Sequence, residues 1–331
     1  MLALDREIPS SILAVDLGGT KMLLGEITPE GNILRSKLYP SDTTSQEAAM
    51  EQIIQAVEDY IHTVPFVAKR QLGIGIAVVG RVDQKRGIWH EIEPGKSQLT
   101  DVKAIMESRF RLPCGVDNDV ACATRSEQRF GWGTESDHFI YLNVGTGIAA
   151  GFVANGRYVK GSHFNAGEIG HTVVASDSDV LCGCGRLGCV ERIASGLGMH
   201  ERVMALHQRY PGTSIKIKEG ERVTAQEILQ AAEAGDKLGF DVSEAAAKAL
   251  SSLIMNLVRV SDPDTIVVGG GLAGSAYLWN RVKQHLNPRT MRFVTNGIVT
   301  TKQNTPDASL IGAALVGLEA WETFGKRDEV Q

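Results

Sequence analysis

The sequence predicts an α/β protein of two domains, and three observations indicate this. Its 331 residues match two domains of ordinary size. Unbroken apolar runs that are typical of buried strands, such as LGIGIAVVG at 72–80, alternate with segments of helical period. The order strand, glycine turn, strand occurs twice, near residues 16–20 and near 143–147. We therefore expect two related units that each present a turn of bare backbone.

The composition is that of a soluble globular protein, with 43% apolar and 22% charged residues. A net charge of −5 shows no basic surface for nucleic acid, and no apolar run reaches the length of a membrane span. The first residues, MLALDREIPSS, lack the basic-then-apolar pattern of a secretory signal. Five cysteines, an odd number, indicate a reducing compartment. We expect a cytoplasmic protein with neither nucleic acid nor membrane as partner.

The first glycine turn joins two predicted strands, 11–16 and 22–28, and so differs from phosphate loops that lead into a helix. Gly18 and Gly19 would bring backbone N–H groups up to phosphate oxygens without a side chain in the way. Thr20 would add a hydroxyl, and Asp16 could hold magnesium through water. The alternative is an ordinary tight turn.

Two acidic or amide residues end a later strand. Residues 46–63 have a helical apolar period, which places Met50, Ile53, Ile54, Val57 and Ile61 on one face. The runs 72–80 and 112–119 are predicted strands, and 100–110 is a predicted short helix. The second of these strands ends at Asn118 and Asp119, just before another helix, where open α/β sheets place ligand sites. Either residue could instead cap the helix, and both roles can hold together.

The second half repeats the pattern of strand and glycine turn. The run 138–159 contains a strand, the turn Gly145, Thr146, Gly147, and a second strand. A strand at 264–268 then leads into Gly270 and Gly271, where a flat ring such as adenine could lie against backbone; a plain strand-to-helix turn is the alternative. The remaining predicted elements are helices at 198–209, 224–234, 239–260 and 308–323 and a strand at 292–300.

A cluster of potential metal ligands lies between these regions. Cys182, Cys184 and Cys189 fall within eight residues, and His171 precedes them. Three thiolates and one imidazole form a closed tetrahedral zinc set, with no position left for an activated water. The alternative is a flexible loop of free thiols, which would be prone to oxidation. Glu168 and Glu191 flank the cluster, and our hypothesis is that zinc braces these two acids.

The motifs together, in this order, resemble the ROK family (repressors, open reading frames and kinases), from about residue 12 to 316. They are D-x-G-G-T-K, N-D, G-T-G-I, G-E-I-G-H, C-x-C-G-x-x-G-C-x-E and G-G-G. The resemblance implies an actin-like, ribonuclease H-like pair of α/β domains with a cleft between them and a structural zinc loop. It also implies ATP-dependent phosphorylation of a hexose or N-acetylhexosamine, such as glucose or N-acetylmannosamine, at the primary (6-) hydroxyl.

The resemblance assigns roles residue by residue. Asp119 matches the catalytic base that accepts the proton of the sugar hydroxyl. The turns around 16–21, including Lys21, and 145–147 match phosphate-binding elements, although Lys21 could be only a solvated charge. The matched sugar contacts are Asn118, Glu168, His171, Glu191, Gly80 and Arg81, with His171 also a zinc ligand.

The sugar loop departs from the glucokinase pattern. The loop HEIEPGKSQLTDV lacks the Pro-Asn and Trp found in many family glucokinases, and GRVD at 80–83 more closely resembles N-acetylmannosamine kinases. The sugar therefore stays open. A sugar-responsive repressor is the main rival, but only 15 residues precede Asp16, too few for a helix-turn-helix domain. A sensor without catalysis and another phosphotransfer are the remaining alternatives.

Domain limits and assembly are also expectations. We expect a smaller domain of residues 1–120 with the C-terminal helix, about 308–331, and a larger domain of 121–307 that carries the zinc loop. Family likeness implies a homodimer. ATP, Mg²⁺ and structural Zn²⁺ are the expected cofactors.

Overall fold

The structure is a computed structural model that describes residues 8–19, 21–92, 95, 98–176, 180–303 and 307–328. The chain forms two compact units. The first contains Met1–Gly131, Lys160–Ala166 and Pro306–Gln331, and the second contains Trp132–Val159 and Gly167–Thr305. The helix that begins at Asp119 thus belongs to the first unit. The domain boundary that we predicted from the sequence lies after residue 120, within this helix, and these domain limits stay a prediction.

The first unit is built on one five-stranded sheet with helices on its faces. Its elements are β1 (Ser10–Leu17), β2 (Lys21–Ile27), β3 (Ile33–Pro40), α1 (Gln46–Thr63), β4 (Arg70–Val78), β5 (Arg81–Asp83), β6 (Ile88–Glu91), β7 (Thr100–Asp101), α2 (Val102–Phe110), β8 (Cys114–Asn118) and α3 (Asp119–Phe130). The sheet order is β3-β2-β1-β4-β8, and β5, β6 and β7 form a small separate sheet. Strands β1, β4 and β8 are parallel, while β2 and β3 form antiparallel hairpins.

The second unit repeats this sheet. Its elements are β9 (Phe139–Val144), β10 (Ile148–Ala154), β11 (Arg157–Tyr158), α4 (Glu191–Ala194), α5 (Gly196–Leu206), α6 (Ala225–Glu233), α7 (Lys237–Ser261), β12 (Thr265–Gly269), α8 (Ala276–His285), α9 (Pro288–Met291) and β13 (Gly297–Thr300). The order β11-β10-β9-β12-β13 matches that of the first sheet, with β9, β12 and β13 parallel. The internal repeat seen in the sequence is therefore a repeat of the fold.

The last helix, α10 (Ala308–Asp328), completes the first unit. It lies in backbone contact with the sheet, because a Cβ on Gly75 would lie 1.8 Å from the carbonyl oxygen of Ala313. Gly312 lies equally close to α3, because a Cβ added at this position would lie 1.8 Å from the carbonyl oxygen of Cys122. The glycines inside the apolar run at 72–80 thus allow a helix to pack where a side chain would hold it away.

Most predicted elements are confirmed, with two corrections. On α1, Met50, Ile53 and Val57 are buried as expected, but Ile61 is exposed, and Tyr60 fills the core instead. The strand predicted over 292–300 is restricted to β13, because Phe293 is exposed and Gly297 has a φ of +77°, which starts the strand only there. Within the described residues, no helix is both long enough and apolar enough to cross a membrane.

Candidate active site

The first glycine turn is the hairpin that the sequence predicted, but its amides are partly used. Gly18 donates its N–H to the carbonyl oxygen of Lys21 at 3.0 Å, which closes the turn. The carbonyl of Gly18 accepts the hydroxyl of Ser41 at 2.6 Å. Gly18 therefore shapes the turn, and Gly19 is the residue whose amide stays available among those described. Lys21 is exposed at the start of β2, and Thr20 lies outside the described residues.

Asp16 is the last residue but one of β1, beside this turn, in a desolvated position. Its Oδ1 accepts the hydroxyl of Ser309, on the first turn of α10, at 2.7 Å. Burial raises the pKa of Asp16 to about 6, and the Ser309 hydrogen bond only partly opposes that rise. Among the residues that the structure describes, no cationic side chain pairs with Asp16, so its carboxylate is suited to bind magnesium directly or through a water of its hydration shell.

Asn118 and Asp119 form the junction between β8 and α3. Asn118 is the helix cap, and its Oδ1 accepts the N–H groups of Val120 and Ala121 at 2.9 and 3.1 Å. Its amide nitrogen donates to the carbonyl oxygen of Gly80 at 2.9 Å. Asp119 follows as the first helical residue, and its Oδ1 accepts the N–H of Val120 at 3.0 Å. The cap and the acid are thus separate neighbouring residues, as the sequence allowed.

Gly80 and Arg81 lie next to that junction. Gly80 has a φ of +85°, and a Cβ there would lie 2.0 Å from the carbonyl oxygen of Glu91, so only glycine fits. Arg81 donates from Nε to Glu91 Oε1 at 2.8 Å. The structure brings Gly80, Asn118 and Asp119 together in the first unit, while the Arg81 guanidinium is already engaged with Glu91.

The second glycine turn lies between β9 and β10 with available amides. Gly145 donates its N–H to the carbonyl oxygen of Gly147 at 3.0 Å. The carbonyl oxygens of Gly145 and Thr146 accept the first two N–H groups of α5, from Gly196 and Leu197. The N–H groups of Thr146 and Gly147 donate to no partner within the described part of the chain. They can therefore bind phosphate oxygens.

The third glycine turn meets the second at the same edge of the sheet, since β9 and β12 are parallel neighbours. Leu272 donates its N–H to the carbonyl oxygen of Val144 at 2.9 Å. Gly270 has a φ of +82°, and a Cβ there would lie 2.5 Å from that same oxygen. This close approach excludes any side chain at 270 and leaves Gly271 beside Gly145.

A cavity of about 370 Å³ opens between these two turns. Its wall includes Gly145, Thr146, Gly271 and residues 222–226, which lead into the first turn of α6. Residues 222–226 were not predicted to line a site. The signal was available, because Thr224 and Glu227 form a capping box that fixes the start of α6 there.

The four predicted zinc ligands converge in the second unit. The ligand atoms of His171, Cys182, Cys184 and Cys189 all lie within 4.8 Å of one another. His171 Nδ1 is 3.4 Å from Cys182 Sγ, and the Cys184 and Cys189 sulfurs are 3.5 Å apart. Tetrahedral Zn²⁺ with its usual bond lengths separates such ligands by roughly 3.5–3.8 Å. The donor set and its spacing therefore fit a structural zinc ion.

The fold of this loop explains the convergence. The loop around the cysteines is held by isolated bridges between Val173 and Cys189 and between Leu181 and Leu187. Gly188 has a φ of +73°, and a Cβ there would lie 1.9 Å from the carbonyl oxygen of Ala175. Only glycine at 188 therefore permits the chain to double back so closely.

Two carboxylates flank this cluster. Glu191 Oε2 accepts the N–H of Ile148 at 2.9 Å, directly after the second glycine turn. Its Oε1 accepts no hydrogen bond from the residues that the structure describes. Glu168 Oε2 lies 3.9 Å from His171 Nε2, on the opposite side of the ring from the sulfur contact. A histidine bound to metal through Nδ1 would therefore direct Nε2–H toward a carboxylate.

Comparison with known proteins agrees with these features. The sequence model described as "ROK family" matches residues 12–319. A glucokinase of Halalkalibacterium halodurans is 28% identical over 96% of this chain and 98% of its own length. An N-acetyl-D-glucosamine kinase of Salmonella typhimurium is 29% identical over 82% of this chain and 89% of its own. A xylose repressor of Caldicellulosiruptor bescii is 28% identical over 74% of this chain but only 62% of its own length.

A solved structure gives the same result for the fold. The ROK glucokinase of Streptomyces griseus in complex with glucose and AMPPNP is similar with a TM-score of 0.76, at 25% identity. The alignment covers 93% of this chain and 99% of the other. The predicted actin-like α/β fold is thereby confirmed, and the chain belongs to the ROK family.

Proposed function

We propose that this chain, a carbohydrate kinase of the ROK family, transfers the γ-phosphoryl group of ATP to the 6-hydroxyl of a hexose or N-acetylhexosamine, with Asp119 as the base. One observation supports the base most directly. Asp119 is the first residue of α3 after the parallel strand β8, beside the hydrogen bond from Asn118 to Gly80. A carboxylate at that edge can accept the hydroxyl proton as the oxygen attacks phosphorus.

The nucleotide is assigned to the second unit. The available N–H groups of Thr146 and Gly147 would donate to phosphate oxygens, and the cavity beside Gly271 has the size for a nucleoside. The AMPPNP in the similar glucokinase structure supports ATP as the donor. In the first unit, Gly19 and Asp16 complete the phosphate-binding set that we propose. When bound, magnesium held by Asp16 through water would neutralise phosphate oxygens.

We assign sugar binding to two glutamates of the second unit and to Gly80 and Asn118 of the first unit. Glu191 offers its Oε1, and Glu168 is half exposed beside His171, so that each can accept sugar hydroxyls. Gly80 and Asn118 contribute from the first unit, mainly through backbone, because the Asn118 amide is already occupied. Arg81 would reach sugar only by exchanging its bond with Glu91, which makes it the weakest of these assignments.

Zinc is proposed as a brace without chemistry of its own. His171 and Cys189 would be fixed by the ion, and each stands close in the chain to a proposed sugar acid. Four protein ligands leave no position for water. The chain's own residues therefore carry out recognition and proton transfer, while the ion would hold the loop that presents them.

The test is ADP release with a panel of sugars that includes N-acetylated amines. Asp119→Asn is expected to lower kcat about 10²- to 10⁴-fold without loss of sugar affinity. Asp101→Asn is a matched control, because Asp101 caps α2 by accepting the N–H of Ala104 at 2.9 Å and asparagine preserves that bond. Omission of magnesium should abolish ADP release. If the Asp119→Asn variant kept full activity, Asp119 could not be the general base.

A sugar sensor without turnover is the second candidate, favoured by the similarity to a xylose repressor. It predicts sugar binding by calorimetry with no ADP release for any sugar in the panel. A homodimer is a further proposal from family likeness, and light scattering of the purified protein would show twice the 35.7 kDa chain mass or disprove it.

A further inference from the structure

Arg125 is a buried cation that joins two carboxylates in the first unit. It lies on α3 and is 8% exposed. Its Nε is 3.3 Å from Asp117 Oδ2, and its Nη1 donates to Glu319 Oε1 at 2.6 Å. Because desolvation offsets most of the attraction in a buried ion pair, such a pair is weak evidence for a role in stability alone. Its location therefore needs another explanation.

The network continues beyond Arg125. Glu319, on α10, accepts at Oε2 from Gln84 Nε2 at 3.2 Å. Lys160 Nζ in turn donates to Gln84 Oε1. We call these five side chains the charged relay: Asp117, Arg125, Glu319, Gln84 and Lys160. Two cations balance two carboxylates within the relay. Removal of Arg125 would leave the buried Asp117 carboxylate uncompensated, whereas Lys160 contacts the neutral Gln84 and its removal leaves no buried carboxylate without its cation.

Three members of the charged relay lie close in the chain to segments of the proposed site. Asp117 Oδ1 accepts the N–H of Asn118 at 2.9 Å, one residue before Asp119. Gln84 comes directly after β5, which Gly80 precedes. Lys160 begins the segment Lys160–Ala166, which belongs to the first unit although the residues before and after it belong to the second. Glu168 follows two residues beyond that segment in the chain.

We infer that the charged relay positions the sugar-binding segments, with Arg125 and Lys160 as positioning residues that act on the proposed sugar contacts at 80–81, 118–119 and 168. This inference rests on the proposed function. Asp117, Gln84 and Lys160 are the relay members that lie nearest to these three segments along the chain. Burial and the neighbouring Arg125 lower the pKa of Lys160, whereas Asp117 and Glu319 oppose that change. None of the five side chains needs to touch sugar.

Lys160→Met is the most selective test, because it removes one end of the relay and leaves the buried pair in place. We expect the KM for sugar to rise about tenfold, as for the loss of one charged hydrogen bond, with the KM for ATP and the unfolding midpoint unchanged. Lys37→Met is the matched control, since Lys37 pairs with Asp59 at 2.6 Å in the same unit but belongs to no proposed site. Equal changes in both Michaelis constants, or none, would overturn the inference.

Arg125 provides a second test. Arg125→Met should lower kcat and raise the KM for sugar together, and Arg125→Lys should restore part of both because a cation returns. A variant that loses stability but keeps the kinetic constants of the wild type would show that Arg125 is structural only. If Arg125→Met does not fold, the Lys160 result alone decides.

Hydrogen exchange separates this inference from the proposed function. In Lys160→Met, exchange should increase in peptides covering 80–84, 114–119 and 160–168, and not in the Lys37→Met control. This result is expected even if no sugar is phosphorylated, in which case the proposed function fails and the relay stands. Unchanged exchange in all three peptides contradicts the relay, whatever the activity.

Discussion

Asp16 is predicted to destabilise the first unit at neutral pH. Burial raises its pKa from 3.8 to about 6, so the folded state holds the proton more tightly than the unfolded chain. The stability associated with Asp16 is therefore complete below pH 3.8 and is lost as the pH rises through about 6. At about 1.4 kcal/mol per pKa unit, the shift corresponds to about 3 kcal/mol above pH 7.

Asp16→Asn removes this ionisation and keeps an acceptor for the Ser309 hydroxyl. We expect the variant to be more stable than the wild type by about 3 kcal/mol at pH 8, with the difference vanishing near pH 4. Urea unfolding followed by circular dichroism, without nucleotide or added magnesium, measures the free energy of unfolding across this range. Phosphoryl transfer should be lost in the same variant, because the magnesium partner is gone.

Ser309→Ala tests the cause of the shift. It removes the hydrogen bond that lowers the pKa of Asp16, so the decline of stability should begin from a still higher pKa and become larger. A difference between Asp16→Asn and wild type that stays constant from pH 4 to pH 8 would refute the reasoning. In that case the Asp16 side chain would be hydrated or paired at all pH values.

Four further predictions follow from single contacts. Gly312→Ala should lower the free energy of unfolding by about 3 kcal/mol in urea, because its Cβ meets a carbonyl oxygen at 1.8 Å. Gly270→Ala should weaken ATP binding by calorimetry more than sugar binding, through its φ of +82°. Cys184→Ser should lower the zinc content measured by plasma emission and raise the KM for sugar. Asp236→Ala should cost about 1–2 kcal/mol at pH 7 through the lost cap of α7. Although desolvation raises the pKa of Asp236, its hydrogen bonds lower it overall, so this cost should fade as the pH falls below about 4.

Controls from the same elements sharpen these predictions. Gly325→Ala, on the same helix as Gly312 but with open space around its Cβ, should be neutral or stabilising. Gly274→Ala, also in open space after the third glycine turn, should leave ATP binding unchanged. Zinc content equal to wild type in Cys184→Ser would show that three ligands suffice. If Asp236→Ala lowered the free energy of unfolding equally at all pH values, the charge of Asp236 would not contribute to its stabilising effect.

Local patterns in the sequence predicted much of the fold. The hairpins at both glycine turns and the strand ending at Asn118 follow from periodicity and spacing, which report on neighbours in the chain. The spacing of Cys182, Cys184 and Cys189 left both a zinc site and a loop of free thiols open, and the structure brings their sulfur atoms together with His171. The exposed Ile61 was misassigned because an apolar residue on a helical face does not reveal where that face ends. The late start of β13 depends on the φ of Gly297, which the sequence does not display.

Site details that depend on tertiary contacts could not be predicted. The bond between Arg81 and Glu91 and the wall formed by residues 222–226 both need the fold to bring distant segments together. Gly18 shows the same limit at short range. Glycine can adopt many backbone conformations in such a turn. Only the closed hairpin shows that the N–H of Gly18 donates to the carbonyl oxygen of Lys21 and is therefore not available to phosphate.

The discontinuous first unit has a consequence for synthesis on the ribosome. Its sheet gains the covering helix α10 only after every residue of the second unit has been translated. Until then, α10 cannot cover the glycine-containing face of β4 and β8. At roughly 5–20 residues per second, the synthesis of the intervening residues, about 180, takes on the order of 10–40 s. We therefore expect the inserted second unit to complete its folding before the enclosing first unit.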